Sequence, residues 1–158
     1  MFEDTRLLEK TIHVKDLTDT QQIGFIIGQN LKGGESIELR GDLGSGKTTL
    51  TKAIVLGSGS NDHVSSPTFT ISKIYKSKKF KIYHYDFYRL NDIGLIANEL
   101  SDYVGGKDSV LIIEWGSNFK DVLPSPRIII EITPITDESR KIDIKYFKSH
   151  QYIIRNIQ

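Results

Sequence analysis

Three observations on the 158-residue chain predict an α/β fold with a mixed β-sheet and flanking helices. Apolar residues alternate in some segments and recur at three and four in others, the periods of strands and helices. Gly41-Asp42-Leu43-Gly44-Ser45-Gly46-Lys47-Thr48 lies between an alternating stretch and a helical one, giving strand, loop, helix. Val110-Leu111-Ile112-Ile113 is a continuous apolar run, as expected of a central strand buried on both faces. The length suits one domain over 1–158, with a core at about 11–147.

Taken in order, residues 1–10 read as a loose start and Thr11–Lys15 as a short strand. Thr18-Asp19-Thr20-Gln21 is a capping-box pattern, followed by Ile23, Ile26, Ile27 and Leu31 on one helical stripe and by Gly33-Gly34 as a stop. Glu35–Arg40 alternates as a strand, and Thr49–Leu56 reads as a helix ended by Gly57. Residues 58–62 are a loop signal. Residues 69–75 and 80–87 read as a hairpin whose tip carries Lys76, Lys78 and Lys79. Those charges discourage edge pairing, or else meet an acidic partner or an RNA backbone. Asn91 caps a helix to about Val104, with Ile93, Ile96, Leu100 and Tyr103 as its stripe and Gly105-Gly106 as its stop. Leu123-Pro124-Ser125-Pro126 is a rigid loop. Arg127–Ile132 and Lys141–Tyr146 read as two antiparallel strands, with Pro134, Asp137 and Glu138 in the turn between them. The ending, with Tyr152, Ile153 and Ile154, either docks on the body or frays.

Composition narrows the function classes. With 38% hydrophobic and 26% charged residues, the chain reads as a soluble cytoplasmic protein, without a signal core or a membrane-length apolar run. A formal net charge of +1 gives no global footprint for nucleic acid, so neither DNA nor a membrane is an expected partner. The absence of cysteine removes disulfides, thiolate metal sites and a cysteine nucleophile.

The chemistry centres on residues 41–48, which fit G-x-x-x-x-G-K-[ST], the phosphate-binding loop (P-loop) of nucleotide hydrolases and kinases. Glycine lets the backbone turn through φ > 0 and approach a crowded anion. The helix beginning near Lys47 aims unpaired N–H groups at the same place. Lys47 is the candidate for the β- and γ-phosphates and Thr48 for Mg²⁺, with Asp42, Leu43, Gly44, Ser45, Gly46 and Thr49 completing the cradle. Thr68, beside Pro67, is either a turn residue or a switch-type threonine that reaches metal and γ-phosphate. Asp86 ends a strand whose period of two puts His84, Asp86 and Tyr88 on one face; it is a candidate for organising Mg²⁺. His84 reads better as a hydrogen-bonded structural residue than as a ligand. Glu114 follows the buried strand, where P-loop proteins place the acid that holds the Mg²⁺ shell or polarises water. Trp115 either stacks on a base or partner or wedges into the core. Asn118-Phe119-Lys120-Asp121 is not the guanine-reading N-K-x-D, which favours ATP over GTP.

Gly41–Thr49, Ser-Pro-Thr-Phe at 66–69, His-Tyr-Asp-Phe-Tyr-Arg-Leu at 84–90, Glu-Trp at 114–115 and Leu-Pro at 123–124 occur in that order. This set closely resembles the TsaE family, the bacterial P-loop ATPases of tRNA threonylcarbamoyladenosine synthesis. The resemblance covers about residues 11–147. It implies a P-loop NTPase-like domain, Mg²⁺–ATP binding and slow hydrolysis stimulated by a TsaB–TsaD pair. The partner pair acts on tRNA, at the adenosine 3′ of the anticodon, so tRNA is met indirectly. By motif, Lys47 resembles the phosphate lysine, Thr48 the Mg²⁺ ligand and Thr68 the switch threonine. Asp86 and Glu114 resemble the two acids serving metal and catalysis, with Trp115 beside the second. The chain departs from the pattern at 91–99 and 116–119, where charges common in the family are missing. Two other readings stay open. A small phosphotransferase would need an arginine-bearing lid, but Arg40, Arg89, Arg127, Arg140 and Arg155 are scattered. A nucleotide-gated binding module would use ATP only to set the shape of a docking surface.

Overall fold

The computed structural model describes residues 5–103 and 105–158. Its strands are β1 (Leu7–Val14), β2 (Ser36–Arg40), β3 (Ser72–Lys76), β4 (Lys81–Asp86), β5 (Ser109–Glu114), β6 (Ile128–Pro134) and β7 (Arg140–Phe147). Its α-helices are α1 (Leu17–Asn30), α2 (Lys47–Gly57) and α3 (Gly94–Tyr103). All seven strands form one sheet in the order β1-β7-β6-β2-β5-β4-β3. β2 runs parallel to β5 and β6, and β4 runs parallel to β5; β1, β7 and β3 are antiparallel to their neighbours. This is a mixed sheet of the P-loop NTPase-like kind.

Strand phase sorts the side chains between two faces. Ile37 and Leu39 of β2, Val110 and Ile112 of β5 and Ile128, Ile130 and Ile132 of β6 pack with Leu50, Ile54 and Val55 of α2 and Ile23 and Ile27 of α1. Leu111 and Ile113 of β5 point the other way, onto Tyr85, Phe87, Leu123 and Leu100 of α3. α1 and α2 lie close together because Gly28 and Gly57 have no side chain: a Cβ at either would meet a backbone carbonyl oxygen of the other helix at 2.1 Å.

Several elements differ from the sequence reading. β1 starts at Leu7, inside the expected loose start, because β7 pairs with it from Leu7↔Phe147 to Val14↔Arg140. The part of that start at 1–4 lies outside the described residues. α1 is capped by Asp16, whose carboxylate accepts from Asp19 N–H at 2.9 Å while Lys15 N–H donates to Asp19. The box therefore sits two residues before the expected one. α3 begins at Gly94 rather than after Asn91, where Asp92 accepts from Gly94 N–H at 2.9 Å; its expected last residue, Val104, lies outside the described residues. The hairpin strands are shorter than expected, and Pro134 closes β6 instead of lying in the turn. The ending docks: Asn30 donates to the carbonyls of Ile153 and Arg155, Tyr152 donates to Glu35, and Ile153 and Ile157 join the aliphatic core. None of the helices among the described residues is long and apolar enough to cross a membrane.

Candidate functional site

β2, β5 and β4 are adjacent and parallel, so their C-terminal ends open on one edge of the sheet. The P-loop leaves β2 there, Glu114 ends β5, and Asp86 ends β4 opposite Glu114 in the register. These residues line a pocket of about 270 Å³ with Leu43, Gly44, Gly46, Lys47, Thr48, Thr49, Ser66, Thr68, Tyr88 and Trp115. Of the phosphate-loop residues singled out in the sequence, Gly41, Asp42 and Ser45 do not line it. Asp42 borders a second pocket of about 360 Å³, with Arg40, Glu131 and Thr133, on the other side of Trp115. The Ser45 hydroxyl is buried without a hydrogen-bond partner, close to where a Cβ on Gly41 would stand (2.5 Å).

The loop is shaped for an anion. Gly46 holds φ 113°, a left-handed conformation that favours glycine, and leads into α2 with no side-chain cap. The first hydrogen bond of the helix runs from Leu50 N–H to Gly46 carbonyl, leaving earlier N–H groups free of helical partners. Lys47 is buried and donates to the carbonyls of Gly41 and Asp42, the latter at 3.0 Å, with its ammonium 4.5 Å from the centre of the Trp115 ring. Burial pushes the lysine below its ordinary pKa, against the opposing pull of Glu114, Asp86 and Asp42. A poorly solvated cation beside uncapped N–H groups is suited to a multiply charged anion. Arg140 of β7 braces the loop from below: Nε donates to Ser45 carbonyl at 2.9 Å, while Nη1 is held by the carbonyls of Thr136, Asp137 and Ser139.

The acidic side of the pocket is equally tied. Asp86 accepts from Tyr88 N–H at 2.9 Å and from the Thr68 hydroxyl at 2.8 Å, and Thr68 also shares a 2.6 Å hydrogen bond with Ser66. Oε1 of Glu114 lies 3.0 Å from Nε2 of His84, and both side chains are buried. Nδ1 of His84 faces the Tyr75 hydroxyl, whose pKa burial pushes up to about 12. Trp115 takes φ 58°, unusual for a large side chain, and its ring also lies 4.9 Å from that of Tyr88. Among the described residues no group of three or more histidines and carboxylates is arranged for a metal. The pocket instead offers two carboxylates and the hydroxyls of Thr48 and Thr68 beside the phosphate loop. That hard-oxygen set fits Mg²⁺, which keeps waters and shares its ligands with phosphate.

The family model described as Threonylcarbamoyl adenosine biosynthesis protein TsaE matches residues 14–142. The chain belongs to the TsaE family. Curated relatives carry the name tRNA threonylcarbamoyladenosine biosynthesis protein TsaE. That of Rickettsia prowazekii is 35% identical over 127 residues, covering 80% of this chain and 88% of the relative. That of Bacillus subtilis is 37% identical over 124 residues, covering 78% and 77%. The crystal structure of Bacillus subtilis YdiB superposes with a TM-score of 0.73 at 28% identity, covering 91% of this chain and 89% of that one. Membership assigns the chain to tRNA threonylcarbamoyladenosine biosynthesis.

Three contributors to this TsaE site escaped the sequence reading. Arg140 was one of several scattered arginines, and Ser66 was only part of a motif. His84 read as a structural histidine, which left its bond to Glu114 unforeseen. Strand period puts Tyr88 on a face with Asp86, but β4 ends at Asp86 and Tyr88 comes back through a turn.

Proposed function

We propose that this TsaE protein is the Mg²⁺-dependent ATPase subunit of the threonylcarbamoyladenosine machinery, hydrolysing ATP in complex with TsaB–TsaD to support transferase turnover on tRNA in the cytoplasm. The observation that carries the reading is the convergence of Lys47, Thr48, Thr68, Asp86 and Glu114 on one pocket above the P-loop. Asp42, Leu43, Gly44, Ser45, Gly46 and Thr49 form the cradle, and Trp115 closes its side. Thr48, Asp86 and Glu114 would hold Mg²⁺ directly or through water. When bound, the ion neutralises charge that develops on the phosphates. Lys47 would exchange the Gly41 and Asp42 carbonyls for phosphate oxygens. Glu114, or Asp86 beside it, orients the attacking water and receives its proton.

Two observations support hydrolysis over transfer to another acceptor. Arg140 reaches the loop, yet its guanidinium is held by four backbone carbonyls and braces the loop as a fixed strut instead of serving as a lid. The pocket also reaches solvent at Ser66, an exposed residue of its lining.

The test is ATP turnover by the purified protein, alone and with its organism's TsaB–TsaD pair. Turnover is expected to be low alone and to rise with the partners. It should fall at least about a hundredfold in Lys47→Ala and in Glu114→Ala, as for loss of one strong charge-stabilising contact. Partners that neither bind nor stimulate would remove the assembly from this reading. Full partner-dependent function in Glu114→Ala, with loss in Lys47→Ala, would reduce the role of ATP to binding.

A further inference from the structure

His84 is 0% exposed on β4, and both of its ring nitrogens have partners. Nε2 lies 3.0 Å from Oε1 of Glu114, and Nδ1 lies 3.2 Å from the Tyr75 hydroxyl. The Tyr75 oxygen also lies 3.2 Å from the carbonyl of Ser65, a second acceptor for its one proton. One ring therefore joins β5, through Glu114, to β3, through Tyr75, and on to the segment 63–71 that carries Thr68. The segment meets β4 directly where Thr68 donates to Asp86 and where Asp86 N–H donates to the Ile71 carbonyl at 2.9 Å.

A carboxylate only accepts, so with Glu114 ionised Nε2 donates to Oε1. One lone pair of Oε1 is thereby taken, and Oε2 keeps both of its own for the pocket. Breaking either bond of the ring would leave a buried polar group without a partner, which is costly where the imidazole itself is fully buried. Tyr75 has one proton and two neighbours, Ser65 carbonyl and Nδ1. Where that proton points depends on whether Ser65 is in place. The 63–71 segment lies between α2 and β3 with no helix or strand of its own, and its Phe69 is exposed.

We propose that His84 is a positioning residue that orients Glu114 and, through Tyr75, makes that orientation depend on the seating of the 63–71 segment. The proposal rests on the ATPase reading for its effect on turnover, but its link to the segment stands apart from catalysis. It gives anything that moves the segment a route to the carboxylate without contact with it.

Three variants separate the links. His84→Gln keeps a donor where Nε2 stands and removes the Nδ1 side. Tyr75→Phe keeps the ring and removes the hydroxyl. His84→Ala removes both. Each is measured for ATP turnover, for Mg²⁺–ADP affinity, for thermal unfolding and for amide hydrogen exchange over 63–71 without nucleotide. In His84→Ala, kcat is expected to fall about 10–100-fold, as when the partner that orients a functional ligand is lost. Mg²⁺–ADP affinity should fall far less than kcat, because the phosphate contacts belong to 41–49 and only the share of the metal shell held by Glu114 is disturbed. In His84→Gln, kcat should return to within about fivefold of the parent, while exchange over 63–71 stays about fivefold faster, the effect of one lost hydrogen bond. Tyr75→Phe should show the same faster exchange with a smaller loss of kcat than His84→Ala. A merely structural histidine gives another pattern, in which His84→Gln is no better than His84→Ala and activity falls in step with unfolding temperature. That pattern overturns the proposal, as does unchanged exchange over 63–71 in both Tyr75→Phe and His84→Gln. If the parent hydrolyses no ATP, the ATPase reading fails, and the exchange measurements still decide the coupling.

Discussion

On one face of the sheet, Ile82, Val110, Ile112, Ile128, Ile130, Ile142 and Ile144 pack beneath α1, α2 and the C-terminal segment. On the other, Tyr85, Phe87, Leu111 and Ile113 pack beneath α3 and Leu123, with Tyr83, Tyr103 and Phe119 at the margin. The first layer is mostly aliphatic, with Tyr75, Phe80 and Tyr146 among it, and continues from β1 to β3. The second is richer in aromatic side chains, with Tyr85 and Phe87 beside leucine and isoleucine, and ends at β5; over β6 and β7 that face carries Glu131 and Lys145. The site belongs to the first layer. His84 and Asp86 share the phase of Ile82, Glu114 shares that of Ile112, and α2 carries the P-loop on the same side. Branched aliphatic side chains have few rotamers and interlock closely. The layer that must hold two carboxylates against a phosphate loop is thus the one with least freedom to adjust, and α3 is free to be the more yielding cover.

The sharpest way to break this comparison is to open a cavity of similar size on each face. Ile112→Ala and Leu111→Ala should both fall within the range of about 2–5 kcal/mol for such truncations, with Ile112→Ala near the top and Leu111→Ala near the bottom. Urea unfolding measures both, and equal or reversed losses would refute the contrast. Next in size is Gly28→Ala, whose Cβ would stand 2.1 Å from the Ile54 carbonyl oxygen and drive α1 from α2. A loss of about 3 kcal/mol is expected. Nucleotide affinity should weaken with it, since α2 begins at Lys47; calorimetric titration with Mg²⁺–ADP reads that.

Glu38 tests the second face by charge. It is buried between Arg40, 2.9 Å from Oε1, and Arg127, 2.8 Å from Oε2. Burial pushes its carboxyl up, but the hydrogen bonds and charges of the two arginines outweigh it and hold the pKa below the ordinary 4.5. The folded chain therefore binds this proton less readily than the unfolded chain does. The stability it contributes is present above about pH 4.5 and is lost as pH falls through the lower folded value. Glu38→Gln should cost about 1–3 kcal/mol near neutral pH and remove this part of the acid loss, read from urea midpoints at neutral and at about pH 3. The smallest effect is expected at Tyr85→Phe, which gives up the 2.7 Å bond to Glu99 at the α3 margin. About 1 kcal/mol is expected, with ATP turnover unchanged.

The strand–loop–helix unit at 35–57 could be read directly because each of its signals is local: alternation, three glycines, then a helical run. β5 was equally plain, since four consecutive apolar residues have no exposed face to offer. The start of β1 was hidden because Glu9, Lys10, Thr11 and His13 dilute its alternation, and the strand exists through pairing with β7 more than a hundred residues away. The cap of α1 was misplaced because Asp16 and Thr18 are both good capping residues, and only the backbone decides between them.

For the site, the sequence alone determined the P-loop and the family to which the chain belongs, since the first is carried by consecutive residues and the second by short motifs in a fixed order along the chain. It also marked Asp86 and Glu114, each at the end of a strand. Only the tertiary structure decided that Asp86 stands opposite Glu114, that Arg140 braces Ser45, and that His84 links Glu114 to Tyr75 and Ser65. These relations depend on strand order and register. Many strand orders are compatible with the same local preferences, and it is the burial of the aliphatic face as a whole that selects one of them.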